Sequence, residues 1–208
     1  MFDKKRCQRG VTLIEAVMTV FVFTILMAGA SALFISIFRT STQQSLVIDT
    51  ADQARKVVFN FTNELRSASS GNEGSYPLNL ASTSQIIIFS SYGAVGQNIH
   101  RIRYFVATST LYKGVVVPTG NPLVYNLGSE KVVAVQKGLA NGSVPVFYYY
   151  DGNYGGTSTP LSQPVNINQV KFVKMNLVLL KQDTKNATTT YPISAGGSIR
   201  NLKTNLGN

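Results

Sequence analysis

Apolar residues crowd the start of this chain and then change rhythm twice. Residues 16–38 contain no Asp, Glu, Lys, Arg or His. Coiled as a helix at ~1.5 Å per residue, that run reaches roughly 35 Å, against about 30 Å for the hydrocarbon core of a bilayer. Past Arg39 the apolar positions thin to a stripe. Val47, Ala51, Ala54, Val58, Phe61, Leu65 and Ala68 recur at alternating steps of four and three, which is one face of a helix. Asp52, Arg55, Asn63 and Arg66 fall on the other faces. The stripe predicts a helix packed on the chain's own domain rather than a coiled coil, with Gly71 after Ser69-Ser70 as its stop signal. Residues 11–70 therefore read as one long helix, apolar all round in its first half and amphipathic in its second.

Residues 71–208 follow a third rhythm, rich in Thr, Ser, Asn, Gly, Val and Tyr and broken by turn signals at short intervals. Strands are expected at Gln85–Ser90, over 101–106, 111–117, 131–136, 144–150 and 170–180, with a last one near 198–202 in an otherwise polar tail from residue 182 on. Asp151-Gly152 is a turn pair. The predicted fold class is α+β: a long helix, half membrane-spanning and half amphipathic, packed on an antiparallel sheet. The expected organisation is a basic stub at 1–10, the helix at 11–70 with 11–38 in the membrane, and a β-rich domain at 71–208.

Charge sets the orientation. The stub carries Lys4, Lys5, Arg6 and Arg9, and positive charge ahead of a span keeps that end in the cytoplasm. The rest of the chain is then exported. An ordinary secretory signal has an apolar region of about 7–15 residues followed by a small-residue cleavage site, and this run is longer and lacks one. Cys7 precedes the run, which excludes a lipoprotein anchor. Within the apolar stretch stands a single acid, Glu15. Such a carboxylate costs on the order of 2.5–3.5 kcal/mol at the centre of a membrane helix and less near an end. It is either a carboxylate that snorkels to the interface or one that awaits a cationic partner.

The order of these features resembles the prepilin signal of type IV pilins and type II secretion pseudopilins. Lys4-Lys5, then Gly10, then Val11-Thr12-Leu13-Ile14-Glu15-Ala16 and a long apolar helix carry the resemblance. It implies cleavage between Gly10 and Val11 by a prepilin peptidase, N-methylation of Val11, and Glu15 as the acid used in subunit assembly. Val11 departs from the family's usual Phe, and no proline interrupts the helix near Ala32, leaving Gly29 as its one breaker. A free amine on Val11 and the Glu15 carboxylate of the same or a neighbouring subunit form a natural pair, since an unpaired buried charge costs several kcal/mol. The partners implied are other pilin or pseudopilin subunits, the peptidase, an inner-membrane assembly platform, and membrane lipid before assembly. Further along, Phe147-Tyr148-Tyr149-Tyr150-Asp151-Gly152, Ile167-Asn168-Gln169-Val170-Lys171-Phe172 and Ser198-Ile199-Arg200-Asn201-Leu202 are similar to minor pilins and J-type minor pseudopilins. A mature chain without Cys points the same way.

Composition weakens the other readings. With one His and one Cys, a Cys/His metal cage or a disulfide framework within the chain is excluded. Nine acidic residues are thin material for acid–base catalysis. A triad would need His100, whose neighbours Arg101 and Arg103 depress imidazole basicity, so an exposed structural His is expected and no enzyme activity or cofactor. Asp151-Gly152-Asn153 places oxygens as calcium loops do, but its single acid favours a turn. Tyr148, Tyr149 and Tyr150 alternate in direction along a strand and cannot form one flat platform. Of the net charge of +10, the stub's four basic and one acidic residues hold +3, leaving +7 for the mature chain. Lys171, Lys174, Lys181 and Lys185 are the densest basic group, read as a solvated surface with nucleic acid as the alternative partner. The rival to a filament subunit is a membrane-tethered extracytoplasmic binding protein that never polymerises, for which Glu15 has no use.

Overall fold

The computed structural model describes residues 12–94, 98–182 and 188–202. The chain divides into two compact units between Leu46 and Val47, and a single helix, α1 (Leu13–Arg66), contributes to both. Gly29 does not interrupt α1. The first unit holds the apolar half of α1. The second holds its amphipathic half and two antiparallel sheets, so the class is α+β.

The larger sheet has five strands in chain order: β1 (Leu78–Ala81), β2 (Gln85–Ser90), β3 (His100–Ala107), β4 (Thr110–Val116) and β5 (Lys131–Lys137). The smaller has three: β6 (Phe147–Tyr150), β7 (Phe172–Gln182) and β8 (Thr188–Ser198). Along β7, alternation sends one set of side chains into the core. On β7, Val173, Met175, Leu177 and Leu179 are buried while Lys174 and Asn176 on the other face are partly open. From α1, Ala54, Val58, Phe61, Leu65 and Ala68 of the expected stripe are buried in the same core, joined by Val57. The Val47 side chain lies outside the described residues. Phe61 links the two sheets to the helix: it meets Tyr104 of β3 edge-on at 5.4 Å and Phe147 of β6 at 5.8 Å. Burying one such side chain contributes about 1.5–3 kcal/mol.

The helix stops at Arg66, before its expected terminator, because the sheet offers its backbone other partners. Ser69 N–H donates to Phe89 O at 3.0 Å, Ser91 N–H to Ser67 O at 3.4 Å, and Asn201 Nδ2 to Ala68 O at 2.9 Å. Gly71 instead lets the chain pass under a ring. A Cβ there would stand 3.0 Å from Phe89 Cδ1.

Three strand expectations change. Phe147, not residue 144, begins β6, since Val146 and Phe147 N–H both donate to Thr83 O in a bend. Ser198 ends a strand rather than starting one, and Arg200–Leu202 is a short 3-10 turn. The last strand is β8, in the stretch that reads as a polar tail. Its Thr, Tyr and Ile content suits a strand, and β7 gives it an eleven-residue ladder. The short β1 shows no clear alternation in the sequence and forms because β2 pairs with it.

Candidate functional site: the apolar amino-terminal helix

The most apolar eighteen residues within Leu13–Phe38 have a mean hydropathy of 2.4, and none of the stretch is buried by the rest of the chain. Its large side chains point out on every side: Ile14, Val17, Met18 and Phe21 are all more than half exposed. A helix apolar all round is stable only inside an apolar surrounding. Three of its hydroxyls are already satisfied internally. Thr19 Oγ1 donates to Ala16 O, Thr24 Oγ1 to Phe21 O and Ser31 Oγ to Met27 O, each at 2.8 Å. These three hydroxyls then ask nothing of water, as lipid requires.

Glu15 sits at the start of the stretch. Thr12 caps the helix: its carbonyl accepts Ala16 N–H at 3.1 Å and its Oγ1 accepts Glu15 N–H at 3.4 Å. Thr12-Leu13-Ile14-Glu15 has the Thr-x-x-Glu spacing of a capping box, a signal readable in the sequence. Glu15 thus lies in the first turn, where the helix dipole favours negative charge. The exposed carboxylate is held at the rim of the apolar cylinder. Gly10 and Val11, the expected cleavage and methylation positions, lie outside the described residues.

His100 is half-buried rather than exposed, and burial first, then Lys113, holds its imidazole below the ordinary value of 6.5. Arg101 and Arg103, the neighbours in sequence, face the opposite side of β3 and turn to Glu130. Arg103 grips Glu130 with two bonds of 2.8 and 2.5 Å, and Arg101 stands 3.7 Å away. Those bonds hold the Glu130 carboxyl below its usual value. Gly114 opposite Arg103 leaves the room that the Glu130 side chain fills. Asp151 Oδ1 accepts Asn153 N–H at 3.0 Å, an Asx turn. In β6, Phe147 and Tyr149 are buried on one face, and Tyr149 Oη donates to Ser82 O at 2.7 Å. Lys171 and Lys174 stand apart, one at a sheet end and one on the open face of β7, while the Lys181 side chain and Lys185 lie outside the described residues.

One polar residue escaped the sequence reading. Glu64 on α1 is 2% exposed. Its carboxylate accepts the Tyr104 hydroxyl at 2.8 Å and the Lys113 ammonium, and its main-chain O accepts Ser90 Oγ at 2.8 Å. Burial, then the Glu64 charge, pushes the Tyr104 hydroxyl well above its ordinary value. The signal was there: Val57, Phe61, Glu64 and Ala68 are spaced by four, three and four, so Glu64 belongs to the buried face.

A model of the prokaryotic N-terminal methylation motif matches residues 5–31. This is the prepilin signature of type IV pilins and pseudopilins, and it covers Lys5–Gly10 of the basic stub, Glu15 and most of the apolar helix. The match supports a pilin- or pseudopilin-type subunit processed by a prepilin peptidase and assembled with other such subunits, and the proteins that carry this motif are structural. Motif and apolar helix together fit membrane anchoring followed by filament assembly. No curated protein matches the chain.

Proposed function

We propose that the chain is a minor pilin or J-type minor pseudopilin of a type IV pilus-like or type II secretion-like filament. The observation that carries this reading is an all-round apolar helix, bare of its own fold, with one carboxylate in its first turn. A lipid anchor needs the first feature and is burdened by the second. A filament core uses both, because the helix leaves lipid for the apolar flanks of other helices and Glu15 meets an amine there.

The proposed sequence of events runs from the leader outward. The stub 1–10 stays in the cytoplasm and the domain at 71–208 lies outside it. The peptidase cuts between Gly10 and Val11, and the Val11 amine is methylated. The span then waits in the inner membrane until the assembly platform docks it. Pairing of Glu15 with the Val11 amine of the same or an adjacent subunit removes the penalty of a buried lone charge and so reports correct register. The alternative is a membrane-tethered extracytoplasmic binding protein, in its extreme form one that binds DNA through its basic surface.

Glu15→Gln separates the two. Gln serves the capping box as Glu does, so the helix start is kept and only the charge goes. Removing one partner of a poorly screened interfacial charge pair costs ~2–5 kcal/mol, more than a decade of docking at ~1.4 kcal/mol per decade. The variant is expected as processed, membrane-resident protein missing from sheared filaments. Its presence in filaments at wild-type level would leave the tethered reading in possession.

A further inference from the structure

Asn141-Gly142 is the one Asn-Gly pair in the chain, and it straddles the surface of the second unit. Asn141 is 8% exposed, whereas Gly142 and Ser143 beyond it are open to solvent. The chain turns there. Val144 N–H donates to Asn141 O at 2.8 Å, and Gly142 takes a φ of 53°, which a residue without Cβ adopts freely. Asn and Gly are the residues such a turn asks for.

The turn carries the chain off β7 while β7 still has main-chain groups to satisfy. β6 pairs with β7 only as far as Met175. Beyond it, Asn176 N–H donates to Val146 O and Val178 O accepts Ala140 N–H, each at 2.8 Å. The Asn141 side chain supplies the rest. Its Nδ2 donates to Asn176 O at 2.9 Å and to Val144 O at 3.4 Å, and its Oδ1 accepts Val178 N–H at 3.0 Å. The carboxamide thus does what a peptide group of a neighbouring strand would do, as buried main-chain groups require. A carboxylate there could keep Val178 N–H and would turn bare oxygen toward two carbonyls. The side chain is a latch that only an amide closes.

The same pair carries a reaction of its own. No Cβ on Gly142 hinders its main-chain nitrogen from attacking Asn141 Cγ. The N–Cγ bond forms, the Cγ–Nδ2 bond breaks, and the Gly142 N–H proton leaves on the departing ammonia. A cyclic imide remains, and water opens it to Asp or to isoaspartate. The attack needs Cγ swung onto the nitrogen that follows it, and the bonds to β7 hold the carboxamide away. We propose that Asn141-Gly142 is a deamidation site that the fold holds shut, and so a one-way mark of unfolding. In the unfolded chain the amide is free and the reaction runs. The product cannot close the latch again: an Asp in this place leaves Asn176 O and Val144 O without their donor, and isoaspartate also lengthens the main chain through the turn. The mark stands on the second unit alone and holds whether or not the chain enters a filament.

The test follows the full chain in detergent micelles, held at mildly alkaline pH across a urea series. Peptide mass spectrometry with fragmentation places the mass gain of Asn to Asp at residue 141. A synthetic peptide of residues 138–145, free of the fold, gives the unblocked rate at each urea concentration. The rate in the chain should follow the unfolded fraction, matching the peptide above the transition and falling at least about tenfold below it without urea. On dilution from urea, the native circular dichroism should return in proportion to the unreacted Asn141. Asn141→Asp should lower the melting temperature by about 4 °C or more, the effect of stranding buried carbonyls. Should that variant not fold at all, the wild-type urea series and its refolding still decide. A rate at Asn141 in the native chain equal to that of the peptide overturns the proposal. So does a deamidated chain that regains the native signal in full, or Asn141→Asp melting with the wild type.

Discussion

Lys113→Met should damage the second unit more than removing the charge that Lys113 serves. The two partners differ in their access to water: Glu64 is 2% exposed, whereas the Lys113 side chain keeps 22%. Without Lys113 the carboxylate remains in the core between α1 and β3 with one donor, Tyr104 Oη. Breaking a buried pair in this way costs ~3–5 kcal/mol, and the surviving Tyr104 bond sets the expectation at the lower end, ~3 kcal/mol. Glu64→Gln leaves Lys113 free to swing its ammonium to solvent, and the neutral amide still accepts from Tyr104. Its cost is that of a hydrogen bond to a charged group, ~1.5–3 kcal/mol, reduced by the solvation Lys113 regains. Glu64→Leu with Lys113→Met removes both charges and should come back to within ~1 kcal/mol of wild type. At roughly 2–4 °C per kcal/mol for a domain of this size, Lys113→Met lowers the melting temperature by about 6–12 °C. Circular dichroism melts of residues 43–208 measure it. The reasoning fails if Lys113→Met costs no more than Glu64→Gln, or if the double variant is as unstable as Lys113→Met.

That assay presumes that residues 43–208 fold without the apolar span, which dispersed proton NMR signals would demonstrate and a random-coil spectrum would refute. The β3–β4 hairpin turns through Thr108 and Ser109 at φ of 44° and 57°; Asn-Gly in their place suits that backbone and should raise stability by ~0.5–1 kcal/mol in urea titrations. His100 has a folded pKa below its unfolded 6.5, so the unfolded chain binds the proton first and stability falls as pH drops below 6.5. His100→Gln should flatten that part of the profile, leaving the fall at lower pH, where the unfolded chain protonates ahead of Glu130, whose value is also depressed from 4.5.

The features legible in the chain were those written in short-range order. The charge-free run at 16–38, the basic stub and Glu15 needed only composition and spacing, because a bilayer-length helix is specified residue by residue and meets lipid rather than distant parts of the chain. The stripe of Ala54, Val58, Phe61, Leu65 and Ala68 was equally local, since every turn of a helix presents the same face. Gln85–Ser90 and the other β-branched runs were found for the same reason, and β6 and the ends of the rest moved by a few residues.

Strand β8 and Glu64 belong to the other kind. Thr188–Ser198 is polar, and it is a strand because β7 presents an open ladder of matching length. A sheet's hydrogen bonds join residues with no fixed separation in sequence, so no local pattern announces them. Glu64 is ionic, and composition places it outside. The fold brings it Tyr104 from 40 residues away and Lys113 from 49, which pair it and allow it inside. The latch at Asn141 is likewise a product of two elements meeting, the turn at Gly142 and β7. Sequence alone determined which helix is long and apolar enough to cross a membrane, for that follows from hydropathy summed along one helix. Which polar side chains its domain holds in place was decided only when strands far apart in the chain had chosen their neighbours.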